Sequence, residues 1–69
     1  MSQPDREAKL YEASEAFWDG ETQLMRNAIL LTGDYRTEAA ALLAKVSFKS
    51  LGKYTQRFVV RQIGDSLVE

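Results

Sequence analysis

Large apolar side chains recur every seven residues in the first half of the chain. The repeat consists of Leu10, Phe17, Leu24 and Leu31, with Tyr11, Trp18 and Met25 next to the first three. This spacing predicts one long helix from about Asp5 to Leu31 with an apolar face wide enough to contact two neighbouring helices. Gly20 lies in the middle of that helix, where glycine costs about 1 kcal/mol relative to alanine. We expect either a kink there or a close approach of another backbone.

The segment Thr32-Gly33-Asp34 predicts the end of the first helix. Gly33 is the candidate left-handed C-terminal cap, and Asp34 or Thr37 is the candidate N-cap of the next helix. The second helix is expected over residues 35–50, because strong helix formers fill positions 38–44. A break is then expected at Ser50-Leu51-Gly52.

The remaining segment, residues 53–68, has two interpretations. Val60, Ile63 and Leu67 recur at helical spacing, as do Tyr54 and Phe58, and this favours a third helix after Gly52. Residues 46–48 and 58–60 also have strand character, so the alternative is a C-terminal β-hairpin across the glycine. The predicted fold is therefore a single all-α domain over residues 1–69 with two to three helices.

The small size of the chain predicts self-association. A 69-residue domain seldom buries enough apolar surface to offset the cost of ordering its chain without a cross-link or a partner subunit. Cysteine and histidine are both absent, which excludes disulfides and a Cys/His zinc site. We expect a homodimer with the first helix as its main interface. The residues expected in the core or the dimer interface are Leu10, Phe17, Leu24, Met25 and Leu31, with Leu42, Leu43, Val46 and Ile63 also in the core.

No residue pattern indicates catalysis. The four glycines are isolated, so neither a phosphate-binding loop nor a dinucleotide fingerprint is present. The first helix has acidic pairs at helical spacing, Glu12 with Glu15 and Glu15 with Asp19. The chain has neither a histidine nor a second acidic helix to complete a metal site or a catalytic site with them. We expect a protein that is not an enzyme and has no catalytic site, metal site or cofactor. Neither a signal peptide nor an apolar run of membrane-spanning length is recognisable, and we expect a cytoplasmic protein that does not bind membranes.

Charge is distributed unevenly along the chain, although the net charge is only −1. Residues 1–34 carry seven acidic and three basic side chains, whereas residues 35–69 carry six basic and three acidic ones. Five of the bases recur at every fourth position and form what we call the basic row: Lys45, Lys49, Lys53, Arg57 and Arg61. Like charges at this spacing repel on a helix, so a negative surface is expected alongside.

Three negative surfaces fit the basic row. They are the acidic first helix of the same or a second chain, an acidic surface of another protein, and nucleic acid, for which Phe48, Tyr54 and Phe58 would supply stacking. A helix-turn-helix over residues 44–63 is disfavoured, because Phe48 and Lys53 would occupy positions that need a small and an apolar residue. The candidate partner-binding residues are Glu12, Glu15, Trp18 and Asp19 in the first helix, with Lys49, Lys53 and Arg57 in the basic row. For Trp18 the dimer core is favoured over an exposed docking surface.

An acidic, heptad-patterned first helix, the Thr32-Gly33-Asp34 turn and a basic second half without cysteine resemble the small proteins by which bacteriophages disable host regulators. In size and helical plan the chain is most similar to phage-encoded quorum-sensing anti-activators. The resemblance implies binding to the DNA-recognition region of a LuxR-type transcription activator in the host cytoplasm. It also implies inhibition of a pilus ATPase. The predicted function is a non-catalytic protein-binding inhibitor or adaptor. The alternative is a small nucleic-acid-binding protein that uses the basic row.

Overall fold

The computed structural model describes the backbone of residues 3–68 and the side chains of residues 6–65. This part of the chain is helical and contains no strand. Its elements are α1 (Gln3–Gly20), α2 (Gln23–Leu31), α3 (Thr37–Leu43), a 3-10 turn (Phe48–Ser50) and α4 (Lys53–Val68). The predicted all-α fold is confirmed. The β-hairpin alternative is wrong, because residues 58–60 lie within α4.

The long first helix is divided in two, because α1 ends at Gly20 and α2 begins at Gln23. Between them Thr22 is extended, and its hydroxyl accepts a hydrogen bond from the Met25 amide at 3.2 Å, so Thr22 is the N-cap of α2. Apart from Gly20 itself, its two chain neighbours and the backbone of its own helix, no atom lies within 4 Å of the position that a Cβ on Gly20 would take. A close backbone approach at this glycine was therefore the wrong interpretation, and the chain stops the helix there instead of merely kinking it.

The predicted second helix is shorter than expected. It covers only Thr37–Leu43, and residues 44–47 form a turn before the 3-10 turn. Its N-cap is Arg36, which makes no side-chain capping hydrogen bond, so capping by Asp34 or Thr37 was also wrong.

Gly33 does not have a positive φ, so it is not the predicted left-handed cap. Its role is a close approach: a Cβ at this position would overlap the Phe58 ring. The glycine therefore lets the turn between α2 and α3 lie directly against α4.

The third helix is confirmed as α4, and so is the break before it. Leu51 is extended, and the Gly52 carbonyl accepts the Gln56 amide at 2.9 Å in the first turn of α4. The Gln56 side chain also donates to the carbonyls of Phe48 and Leu51, at 3.2 and 2.9 Å. The 3-10 turn is thus tied to the start of α4.

The core lies where α4 packs on α1 and α2, and it is closed by α3 and the 3-10 turn. Its buried apolar residues are Trp18, Leu30, Ala40, Ala44, Phe48, Leu51, Val59, Val60 and Ile63. Among the predicted core residues, Ile63 is buried, and Leu10, Leu43 and Val46 are half-buried against the core.

Five residues predicted for the core or the dimer interface are exposed on the single chain: Phe17, Leu24, Met25, Leu31 and Leu42. Leu42 was predicted for the core alone, and that prediction was wrong. The other four do not lie in the core of the single chain, and their place in a dimer interface stays a prediction. Two causes explain the exposure. On α1 the buried side follows the 3.6-residue period from Tyr11 through Ser14 to Trp18, so it moves away from Phe17. The break after Gly20 then gives α2 different neighbours, because α2 contacts α3 and α4 whereas α1 contacts α4 and the 3-10 turn.

The joint between α1 and α2 is built on Arg26. Its guanidinium lies 5.6 Å from the centre of the Trp18 ring and donates to three backbone carbonyls. These hydrogen bonds go to Trp18 at 2.8 Å, to Asp19 at 3.1 Å and to Ala44 at 3.1 Å. The carbonyls belong to the ends of α1 and α3, where helices leave acceptors unpaired and favour a positive charge. Arg26 therefore caps two helices at once.

We expect Arg26→Ala to lower the free energy of unfolding by about 2 kcal/mol, because three carbonyls lose a charged donor. Arg26→Lys should recover only part of the loss, since an ammonium cannot reproduce the planar fork. Urea unfolding followed by circular dichroism measures both. Arg36→Ala is the matched control, because Arg36 is exposed and makes no capping hydrogen bond. Equal stability of the Arg26→Ala and Arg36→Ala variants would contradict this account of the joint.

Candidate protein-interaction surfaces

Two of the predicted partner-binding residues have structural roles. Trp18 is fully buried, and its indole N–H donates to the Val46 carbonyl at 3.0 Å, so it is not an exposed docking residue. Asp19 is exposed, but one of its carboxylate oxygens accepts the Phe48 amide at 2.8 Å at the start of the 3-10 turn. Both side chains thus hold the segment 44–48 against the end of α1. A substitution at either would test folding before it tested binding.

The other acidic candidates, Glu12 and Glu15, remain on the surface. Glu12 is exposed, and Glu15 is half-buried with its carboxylate 3.9 Å from the Lys49 ammonium. Among the described residues this is the contact that joins the acidic helix to the basic row within one chain. Lys49 is 82% exposed, so the pair is weakly held and screened by water.

The basic row does not form one helical stripe. Lys45 follows the end of α3, Lys49 belongs to the 3-10 turn, and only Lys53, Arg57 and Arg61 share α4. Residues 44–47 and 51–52 are not helical, and these two interruptions separate Lys45 and Lys49 from the three bases of α4. A continuous row over residues 45–61 was therefore the wrong interpretation of the spacing.

One surface groove combines two of the α4 bases with aromatic rings. We call it the α4 groove; it has a volume of about 250 Å³ and is lined by Tyr54, Arg57, Phe58 and Arg61. An adjoining depression of about 450 Å³ shares three of these residues and adds Gly33, Asp34 and Tyr35. Tyr54 is 77% exposed. In the described part of the chain neither guanidinium makes a hydrogen bond or an ion pair.

A second groove is apolar and lies between α1, α2 and α4. It has a volume of about 390 Å³ and is lined by Ala13, Phe17, Met25, Ile29, Thr32, Gln62 and Ile63. Beside it α2 presents an apolar stripe to solvent, which we call the α2 face: Leu24, Met25, Ala28 and Leu31. These four positions fall within about 120° of the helix circumference. Leu24 is 80% exposed, the most of any large apolar side chain described.

The described residues contain no group of three or more acidic, histidine or cysteine side chains that could hold a metal ion. None of the described helices is long and apolar enough to cross a bilayer. Comparisons with protein-family models, with curated proteins and with solved structures find no match to this chain.

Sequence reasoning missed Arg26 and the fact that Tyr54 and Arg61 line one groove. Arg26 is the one base within the apolar block LMRNAIL, and an isolated base in such a block is a signal for a buried or capping role. Tyr54 and Arg61 are seven residues apart, a spacing that places two side chains on one helix face. That relation becomes visible only once residues 53–68 are known to be a helix.

We expect Lys49→Ala to change the free energy of unfolding by less than about 0.5 kcal/mol, because its contact with Glu15 is long and exposed. Thermal unfolding of the wild type and the Lys49→Ala variant at low and high salt measures the difference in stability. A loss of unfolding free energy several times this size would mean that the acidic helix and the basic row stabilise each other within one chain. That result would contradict the long, exposed contact between Lys49 and Glu15.

Proposed function

We propose that this chain is a non-catalytic protein-binding inhibitor or adaptor that acts as a homodimer assembled on the α2 face. The observation that supports the proposal most directly is the exposure of four large apolar side chains on and beside α2: Phe17, Leu24, Met25 and Leu31. Contiguous apolar surface of this kind is typical of interaction sites.

The energetics favour the same conclusion. Full burial of a leucine or methionine side chain contributes about 1.5–3 kcal/mol. A core of this size rarely supplies more than about 3–5 kcal/mol of net stability. Covering Leu24 and Met25 in both subunits would therefore contribute an amount comparable to the stability of the isolated chain.

A two-fold axis suits the α2 face. The helix has nine residues and is about 13 Å long. An axis passing near Ala28 would place Leu24 beside Leu31 of the partner subunit, and the small side chain of Ala28 would allow the two helices to approach closely. In this arrangement Phe17 and the apolar groove border the interface.

The class of partner stays a prediction. The resemblance to phage anti-activators favours a bacterial transcription regulator of the LuxR type, approached by the acidic side of α1. Nucleic-acid binding by the basic row is the alternative, and the separation of Lys45 and Lys49 from the α4 bases makes it less favoured.

Leu24→Glu should convert the dimer to a folded monomer, because a carboxylate buried in the interface would lose its water. Sedimentation equilibrium at micromolar concentrations gives the mass, and circular dichroism reports the fold. Tyr54→Glu is the matched control, since Tyr54 is equally exposed but lies in the α4 groove. A wild-type chain that remains monomeric, or a Leu24→Glu dimer as tight as the wild type, would contradict dimerisation on α2.

If the partner is the basic DNA-recognition region of a LuxR-type activator, Glu12→Lys and Glu15→Lys should each weaken binding about tenfold. Glu38→Lys, an equal charge change on α3, should leave it nearly unchanged. Calorimetric titration with the isolated regulator domain measures the affinities. Asp19 is omitted because it holds the Phe48 amide. Absence of binding by the wild type would remove this class of partner.

A further inference from the structure

The α4 groove has a rigid aromatic floor. Phe58 is half-buried; its ring contacts Gly33 and lies 5.1 Å from the Tyr35 ring, centre to centre. The Tyr35 hydroxyl in turn donates to the buried Thr55 hydroxyl at 3.0 Å. Phe58 is therefore held in place before any ligand arrives, and a partner would not have to order it.

The walls of the groove carry charge that the described residues leave uncompensated. Arg57 and Arg61 lie one helical turn apart, which separates them by about 6 Å along α4. No described side chain forms an ion pair or a hydrogen bond with either guanidinium, and both residues are exposed. Arginine favours carboxylate and phosphate groups because its planar fork can donate two parallel hydrogen bonds. Tyrosine and arginine are also, with tryptophan, the residue types enriched among the side chains that contribute most of the binding energy of protein interfaces.

The surroundings of the groove favour a short acidic segment over nucleic acid. Asp34 lines the adjoining depression, and Glu7 lines another depression, of about 370 Å³, beside Arg57 and Arg61. A nucleic-acid strand carries phosphates continuously and would meet these carboxylates on leaving the groove. Its affinity also depends on several basic contacts, whereas this chain has a net charge of −1. A peptide needs only two or three acidic groups.

We propose that the α4 groove binds an acidic peptide segment of a partner protein. Two carboxylates of the segment contact Arg57 and Arg61, and one large apolar side chain packs on Tyr54 and Phe58. Acidic residues one turn apart on a helix have the spacing of the two arginines. The inference rests on the proposed protein-binding function. It adds a second kind of ligand: the α4 groove binds an acidic segment, whereas the acidic side of α1 is expected to bind a basic surface.

A selection from a random 12-residue peptide library on the wild-type protein tests the proposal. Enriched peptides are synthesised with a fluorescent label, and their affinity is measured by anisotropy at low and high salt. The test variant is Arg57→Glu with Arg61→Glu, and the matched control is Arg36→Glu with Lys45→Glu, which changes the charge equally at exposed positions outside the groove. Thermal unfolding verifies that all variants are folded. A twelve-nucleotide oligo-dT is the competing probe.

We expect an enriched group of peptides with at least two acidic residues and one large apolar residue. Their affinity should fall more than about tenfold in the test variant, fall with rising salt, and stay unchanged in the control. Tyr54→Ala should weaken the same peptides several-fold without changing the melting temperature, because this side chain is largely exposed.

Other outcomes overturn the inference in distinguishable ways. Enriched peptides without acidic residues, or acidic peptides that bind the test variant equally well, contradict an acidic ligand but leave the protein-binding function standing. Tighter binding of the oligo-dT through the same arginines makes nucleic acid the ligand. If no peptide is enriched, the inference fails. If the chain is also monomeric, the proposed function fails with it.

Discussion

The hydrogen bonds of the Arg26 guanidinium are the interaction on which the rest of the structure depends. A helix that stops at Gly20 leaves carbonyls without partners, and so does α3 at its end near Ala44. Arg26 supplies one cation to both ends and lies over the Trp18 ring, which is buried at their junction. The adjoining segment is held by two more bonds, from the Trp18 indole to the Val46 carbonyl and from the Phe48 amide to Asp19. Residues 18–26 and 44–48 thus form one hydrogen-bonded unit.

This hydrogen-bonded unit explains why apolar side chains of α2 remain exposed to solvent. With the helix interrupted after Gly20, Trp18 and Leu30 enter the same core although they lie in different helices. Leu24 and Leu31 then face solvent, and a chain of this size has no further segment among the described residues with which to cover them. The surface left over is apolar, which is why we propose that a second copy covers it. Self-association would follow from the orientation that the joint between α1 and α2 gives to α2. The α4 groove lies on a different helix and would stay uncovered in such a dimer.

Sequence reasoning predicted the features that depend on local patterns. The all-α class, the break at residues 50–52 and the helix after it follow from apolar spacing and from Gly52, and all are confirmed. The unbroken first helix was wrong, because the heptad pattern continues through Gly20 and conceals a stop that depends on the Thr22 cap. The burial of Trp18 in place of Phe17 and the role of Arg26 depend on contacts more than 15 residues apart in the chain. No local pattern encodes such contacts. The same holds for the α4 groove, whose floor combines Gly33, Tyr35 and Phe58.

The central claim is that the apolar stripe on α2 is covered by the same stripe of a second chain. The most direct measurement is an isotope-filtered nuclear Overhauser experiment on an equal mixture of ¹³C-labelled and unlabelled protein. The account predicts intermolecular cross-peaks between the methyl groups of Leu24, Ala28 and Leu31. A spectrum with no intermolecular cross-peaks from these methyl groups, recorded on a chain that tumbles as a monomer, would contradict it.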